Sequence, residues 1–497
     1  MNESNQRPGQ NKYRPFILAA VMLAMFVGAI EATIVSTAMP AITADLGGFQ
    51  LYSWVFSSYL LMSTVTVLLY GKLSDLFGRK PVLTLGMSLF LVGSILCGFA
   101  ESMEWLIAFR FIQGLGAGAV MPIASTIVGD IYSKEERAKI QGYLSSVWGI
   151  SAVMGPAIGG LLVETIGWQY VFWINIPLGV LSLTVLWMFL KEDVEKNTSP
   201  IDYKGAALLS VALTVLLYLL VEGGISIPWL SSTALIMIIA AGLLLYLFVR
   251  HELKAPDPMM PFSIWKNRAI FIANIVSLTT GVLLIGISSY LPAFVTGVME
   301  ESASIAGFTL TAMSIGWPIA ATVAGRLLIK IGYYKTSLLG GISLIAGTLL
   351  FVLMEPGYGP VWPAVSSFFV GVGMGLTTTS FIVSIQSAVP WKLRGAATAA
   401  NMFMRNLGST VGVALLGGIL NASIRSSFED SKNTEVQSLG VDAVNSLLEA
   451  EQRSRLEPDV LEQLQSAMTS GLNIVYFIVF AFALISLFFI LFLPRKE

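Results

Sequence analysis

Charge is what this sequence most lacks. Of its 497 residues only 12% are Asp, Glu, Lys or Arg, while 55% are hydrophobic. A water-exposed protein of this size carries about a quarter charged residues, so most of this surface is expected to face lipid. Cysteine is nearly absent. Cys97 stands alone, which excludes an internal disulfide and a cysteine-built metal site. His251 is the only histidine and sits in a polar stretch, which argues against zinc enzymes and histidine-dependent triads. No cluster of ionisable groups lies in the apolar runs, so no enzyme activity is expected. The net charge of −1 offers no basic surface to nucleic acid. A phosphate-binding loop ending in Lys-Ser or Lys-Thr is missing, which removes ATP-driven pumping. No small-residue cleavage site follows a short apolar core, so the first apolar run reads as a helix and not a removable leader.

Long apolar runs are what the sequence has. A helix needs about 20 mainly apolar residues to cross a bilayer. Fourteen segments qualify, at 16–40, 51–71, 81–100, 105–129, 140–163, 168–190, 205–222, 229–249, 269–298, 302–325, 336–354, 360–388, 395–421 and 470–493. The runs are continuous and do not alternate, which argues against barrel strands. The expected fold is an all-α polytopic membrane protein with 14 transmembrane helices. Positive charge then gives its direction. Arg110 and Arg405 fall inside spans, and Arg425, Lys432, Arg453 and Arg455 lie in the long loop 422–469. Every other Lys and Arg falls on one side, the side of the N-terminus. Both termini are therefore expected in the cytoplasm, in a multi-pass protein of the cell (plasma) membrane.

The chain also echoes itself. Arg137–Gly160 aligns without gaps on Arg394–Gly417, pairing Gly155 with Gly412 and Gly160 with Gly417. Gly71–Gly78 pairs with Gly325–Gly332. The first six spans then relate to the last six, and spans seven and eight form an insertion. The expected division is a six-helix bundle over 1–190, a linker with the inserted pair and an interfacial segment over 191–268, and a second bundle over 269–497 with its external loop at 422–469. Two related bundles meeting at the midplane are a common transporter plan, with substrate at their interface.

Only three charges lie deep in the spans: Glu31, Arg110 and Arg405. Burying one costs roughly 2.5–3.5 kcal/mol on insertion scales, which makes each a functional candidate. Glu31 is the sole deep carboxylate. It is expected to bind a proton or a cationic cargo, with Arg110 as the partner that tunes it. A static Glu31–Arg110 ion pair is the plainer alternative. Phe26, Trp54, Tyr59, Tyr290, Trp317 and Asn401, with Glu31 and Arg405, are candidates for lining a large, mostly apolar substrate cavity; aromatic residues in membrane helices also pack or anchor at the interface.

Several of these segments resemble the major facilitator superfamily, and within it the fourteen-helix drug:proton antiporters. Gly71-Lys-Leu-Ser-Asp75-Leu-Phe-Gly78-Arg79-Lys80 matches the superfamily's loop signature between its second and third helices. Arg110, Gln113, Gly114 and Gly116 are similar to the fourth-helix arginine motif. Gly149, Gly155-Pro156, Gly159 and Gly160 resemble the antiporter motif of the fifth helix. Glu31 begins a first-helix motif that usually opens with Asp, and Arg405 lies in a stretch similar to a motif of the thirteenth helix. The resemblance implies a cytoplasmic gate from Gly71, Asp75, Gly78, Arg79 and Asp130, with Gly71 and Gly78 turning the loop. It implies a proton-coupled exporter of amphipathic or cationic drugs, working as a monomer with a small-molecule substrate, protons and the lipid bilayer as its partners. No cofactor is expected beyond the proton gradient. A carrier for one metabolite, such as a vitamin, amino acid or lipid, is the alternative on the same fold.

Overall fold

The structure is a computed structural model that describes residues 13–132, 134–192, 202–223, 226–255, 258, 260, 262–389, 394–431, 434–437 and 439–494. Its long helices are α1 (Arg14–Leu46), α2 (Tyr52–Phe77), α3 (Arg79–Cys97), α4 (Met103–Ile131), α5 (Lys134–Thr165) and α6 (Gln169–Phe189, interrupted at Ile174). There follow α7 (Tyr203–Glu222), α8 (Ser232–Glu252), α9 (Arg268–Gly297), α10 (Ala303–Val352), α11 (Val361–Ala388), α12 (Arg394–Glu429) and α13 (Pro458–Leu491). No strand occurs among the described residues. Twelve of the helices are long and apolar enough to cross a membrane. The twelve omit α2, which has 26 residues, and count α10 once although its 50 residues break at Gly332.

That break has a sequence cause. Gly332 takes φ 75°, ψ 171°, and Gly78, its partner in the internal echo, takes φ 95°, ψ 157°. A side chain at such a positive φ is strained, so glycine ends the helix at both places. Gly71 does not share this role. It was expected to help turn the loop, but α2 runs through it to Phe77, and the turn rests on Gly78 alone.

Helices α1–α6 pack on one another, with α4 against α2 and α3, and α5 against α1. Among the last five, α9 meets α12 and α13, and α10 meets α11 and α13. The pair α7–α8 leans on α2 and α12 through α7. The main contacts that join the two groups are α5 with α10, α2 with α12, and α1 with α9, with a smaller one between α1 and α10. The second echo explains their symmetry. Any side chain at Gly155 would collide with Thr33 of α1, and one at Gly412 would come within 2.9 Å of Val282 of α9. One at Gly160 would come within 2.7 Å of Ser304 of α10, and one at Gly417 would strike Ser53 of α2. Each glycine pair thus lets its helix touch its own group's first helix and the other group's second. Small residues permit such close backbone approach in membranes.

The helix ends define two faces, here called the Arg79 face and the Phe49 face. The largest hydrophobic cluster lies toward the Phe49 face and draws on both groups, including Ile30, Phe49, Tyr52, Phe172, Tyr290, Phe294 and Leu310. Toward the Arg79 face each group has a cluster of its own, one around Ile17, Tyr70 and Ile127, the other around Ile270, Tyr333 and Phe381, while Leu61 and Val65 of α2 meet Phe403 and Met404 of α12 in a further cluster shared with α7. Hydrogen bonds join the groups toward the Phe49 face and also midway along α2, where Thr64 Oγ1 lies 3.1 Å from Thr410 Oγ1. Tyr52 Oη donates to the Ser289 carbonyl at 2.7 Å, Ser53 Oγ lies 3.1 Å from Tyr290 Oη, and Ser304 N–H donates to Glu164 at 3.0 Å. The halves are therefore sealed at the Phe49 face.

The region 422–469 is shorter as a loop than expected, because α12 extends to Glu429 and α13 begins at Pro458. Between them short helices press Val441, Val444 and Leu447 into the main cluster. Gln50 N–H donates to Asp442 at 3.1 Å, and Gln452 donates to the Ala44 carbonyl at 3.2 Å, so this segment caps α1 and α2. Residues 250–268 were expected to lie on the membrane surface. There Met260 is buried against α7, α8 and α12, and Ile264 against α9 and α11. At the same end His251 Nε2 sits 2.6 Å from Asp202 Oδ1 and ties α8 to the start of α7. Burial alone would raise the Asp202 carboxyl, but the Gly205 N–H and His251 hold it below its ordinary value.

Candidate functional site

The deep charges of the first group meet in one place. Arg110 Nη1 of α4 donates to Glu31 Oε1 of α1 at 2.5 Å, with side-chain exposures of 2% and 0%. The same nitrogen donates to Gln113 Oε1 at 2.6 Å, and Arg110 Nε to the Val55 carbonyl of α2 at 3.2 Å. Gln113, one helical turn on from Arg110, passes the chain to Ser94 Oγ of α3 at 2.8 Å. The second carboxylate oxygen is served separately: Asn175 Nδ2 of α6 donates to Glu31 Oε2 at 2.6 Å. Tyr59 stacks its ring under the guanidinium, 4.1 Å from its centre. Five helices thus converge on one carboxylate. Removing a partner from such a buried pair typically costs about 3–5 kcal/mol, because the other charge is stranded.

This geometry both pairs and isolates Glu31. Each oxygen has a donor inside an apolar cluster.

Comparison with known proteins now gives the family. The profile described as Major Facilitator Superfamily matches residues 21–413. The chain belongs to this superfamily. It is 34% identical over 467 residues to multidrug resistance protein 3 of Bacillus subtilis (strain 168), a match covering 93% of this chain and 91% of that one. It is 31% identical to the multidrug transporter protein MdtP of the same organism, covering 93% and 88%, and 30% identical to the efflux pump FUS6 of Gibberella fujikuroi (strain CBS 195.34 / IMI 58289 / NRRL A-6831), covering 94% and 87%. In fold it is similar to a bacterial homolog of the human lysosomal transporter Spinster in its inward-facing and occupied conformation. That likeness has TM-score 0.66 at 15% identity and covers 99% of this chain and 98% of that one. This superfamily member is accordingly a multi-pass membrane protein and a secondary transporter of small molecules, rather than an enzyme.

Other candidate residues of this transporter fall in several places. Gly78 ends α2, and Arg79 opens α3. Glu192 binds the backbone N–H groups of Arg79 and Lys80 at 2.6 and 2.9 Å, and Arg79 Nη1 donates to the Ser74 carbonyl at 2.6 Å. Asp75 and Asp130 belong to the last turns of α2 and α4, and their side chains lie outside the described residues. Gly149 faces Pro318 of α10, Gly155 and Gly159 face α1, and the Pro156 carbonyl and Gly160 meet α10.

Candidates for the cavity wall separate. Tyr59 belongs to the Glu31 cluster. Tyr290 is fully buried in the seal between halves, donating to the Val413 carbonyl at 2.8 Å. Asn401 donates to Asn274 Oδ1 and Ser277 Oγ, binding α12 to α9. Trp54 turns to α7 and donates to Glu222 at 3.2 Å. Phe26, Trp317 and Arg405 are partly buried. The residues that reading the sequence missed are Asn175, Ser94 and Glu192. Asn175 left one signal, a carboxamide inside the apolar run 168–190 and farther from its end than Gln169, which needs a partner once buried.

Proposed function

We propose that this transporter is a proton-coupled exporter of amphipathic compounds, cationic drugs among them, working by alternating access as a monomer in the plasma membrane. The observation that carries the proposal is the fully buried Glu31 with a donor on each oxygen. Glu31 takes the proton and Arg110 returns it to the paired state, so protonation and the packing of α1, α4 and α6 change together. The cytoplasmic gate is formed by Asp75, Gly78, Arg79 and Asp130. Gly149, Pro156 and Gly160 of α5 form the sliding contact with α10, and Gly155 and Gly159 hold α5 against α1. The multidrug and efflux names of its relatives support export.

We further propose fourteen crossings, with α2 and the two parts of α10 counted separately. The Arg79 face is then cytoplasmic with both termini, residues 1–190 and 269–497 are the two bundles, and 191–268 link them. Phe26, Tyr59, Trp317 and Arg405 line the cargo path, while the contacts of Trp54, Tyr290 and Asn401 favour structural roles. The proton gradient replaces any cofactor. One moving proton supplies about 2.3 kcal/mol per 100 mV, enough for roughly a fortyfold gradient of a neutral solute.

The test is efflux of a dye panel from energised vesicles, with and without an uncoupler. Uphill efflux that stops with the uncoupler is expected. Efflux that persists after the gradient collapses would rule out proton coupling.

A further inference from the structure

The three deep charges are unequally treated. Glu31 and Arg110 neutralise each other inside the first bundle. Arg405 in α12 has no hydrogen-bond or ion-pair partner among the described residues. It lies eleven residues into α12, about 16 Å along the axis at 1.5 Å per residue, and so well inside the membrane. Its polar neighbours do not serve it. Asn401, one turn earlier, spends its amide on Ala273, Asn274 and Ser277 of α9, and Ser409, one turn later, donates to the Gly281 carbonyl.

Two further observations bear on what Arg405 does. The side chain is not sealed: Arg405 and Asn406 are partly buried, and Met402 is 39% exposed. An unpaired guanidinium at that depth cannot face hydrocarbon, and such residues face the bundle interior or a water-filled cavity. By that rule the open side of Arg405 belongs to the bundle interior, beside the α2–α12 contact of Phe403 and Met404. The fold itself does not need the charge. The gapless echo pairs Arg405 with Trp148 of α5, since 405 − 394 = 148 − 137. The same architectural position thus carries an uncharged residue in the other bundle.

Resting on the reading of this chain as an exporter, we infer that Arg405 is a cargo-recognising residue, and that the cargo it selects is an amphiphile with an anionic group, a carboxylate, sulfonate or phosphate, on an apolar body. The guanidinium offers planar, paired donors that fit such groups. Phe403 and Met404 beside it contribute apolar surface to the α2–α12 contact. An anion also leaves the cell with an inside-negative potential, not against it. Cationic cargo gains nothing at Arg405 and must be held elsewhere.

The experiment compares initial efflux rates of carboxyfluorescein, rhodamine 6G and Nile red from energised vesicles carrying the full chain, its Arg405→Gln variant or its Arg405→Lys variant. The expected result is an anion-to-cation rate ratio at least tenfold lower for Arg405→Gln, with much of the ratio restored in Arg405→Lys. Benzenesulfonate should compete with carboxyfluorescein in the native protein, a readout that needs no variant. A native protein that moves rhodamine 6G or Nile red but not carboxyfluorescein overturns the inference and leaves the exporter reading standing. An unchanged ratio in Arg405→Gln, with all three rates reduced alike, also overturns it and makes Arg405 a gating or packing residue. Native protein that moves none of the dyes fails the exporter reading itself, and with it this inference.

Discussion

Glu31 has two neighbours that do different work. Arg110 supplies charge, and Asn175 supplies the donor for the oxygen that Arg110 does not reach. Replacing Glu31 with Gln keeps the size and removes the ionisable group. Glu31→Gln should lose uphill, uncoupler-sensitive efflux while still binding dye; sustained uphill export by that variant would remove Glu31 from the coupling step. Glu31→Asp should stay active, since it keeps the ionisable carboxyl. Asn175→Ala leaves a buried carboxylate oxygen without its donor. Hydrogen bonds to charged groups contribute about 1.5–3 kcal/mol, so coupled efflux should fall about tenfold or more. An Asn175→Ala rate within twofold of native would show that the amide is idle. Glu31 and Arg110 were legible in the sequence because charge inside an apolar run stands out. Asn175 was not, because a neutral polar side chain is cheap enough to be common there.

At the scale of helices, glycine sets both the breaks and the contacts. Gly78 and Gly332 end helices at positive φ. Gly332→Ala should cost about 1–3 kcal/mol through backbone strain alone, since nothing lies within 4 Å of it to clash. Gly242→Ala, also in open space but helical, should be neutral or slightly stabilising. Thermal unfolding in detergent separates the two; equal midpoints would mean that the break at Gly332 carries no strain. Gly417 lies against Ser53 and Tyr290 in the seal. Gly417→Val should keep the Phe49 face from closing, and a cysteine at Ser53 in that variant should then label faster with a membrane-impermeant thiol reagent. Unaltered labelling would mean that α2 and α12 adjust without opening. The glycine spacing was visible as an echo, but which neighbour each glycine admits required the helices in place.

For the whole molecule, closure at the Phe49 face is the main fact. It rests on the shared cluster, the bonds among Tyr52, Ser53, Ser289 and Tyr290, and the cap drawn from 430–457. If alternating access is the mechanism, this seal must part in each cycle. Cysteines at Gln50 and Asp442, oxidised to a disulfide, should stop transport, and reductant should restore it; the native Cys97 is buried and should not interfere. Full transport by the oxidised form would mean that the cap stays closed during turnover. Much of this architecture was decided by the sequence alone. Continuous apolar runs dictate membrane helices, because a lipid-exposed backbone must satisfy its own hydrogen bonds. The one-sided Lys and Arg suggest a direction, and the two echoes prefigure paired bundles. Only the tertiary structure decided which polar groups meet. It brought Glu31, Arg110 and Asn175 together from positions up to 144 residues apart and gave Arg405 no partner among the described residues. Periodicity fixes where a side chain sits along its own helix, but partners across helices depend on how the helices rotate and cross, which no single run encodes.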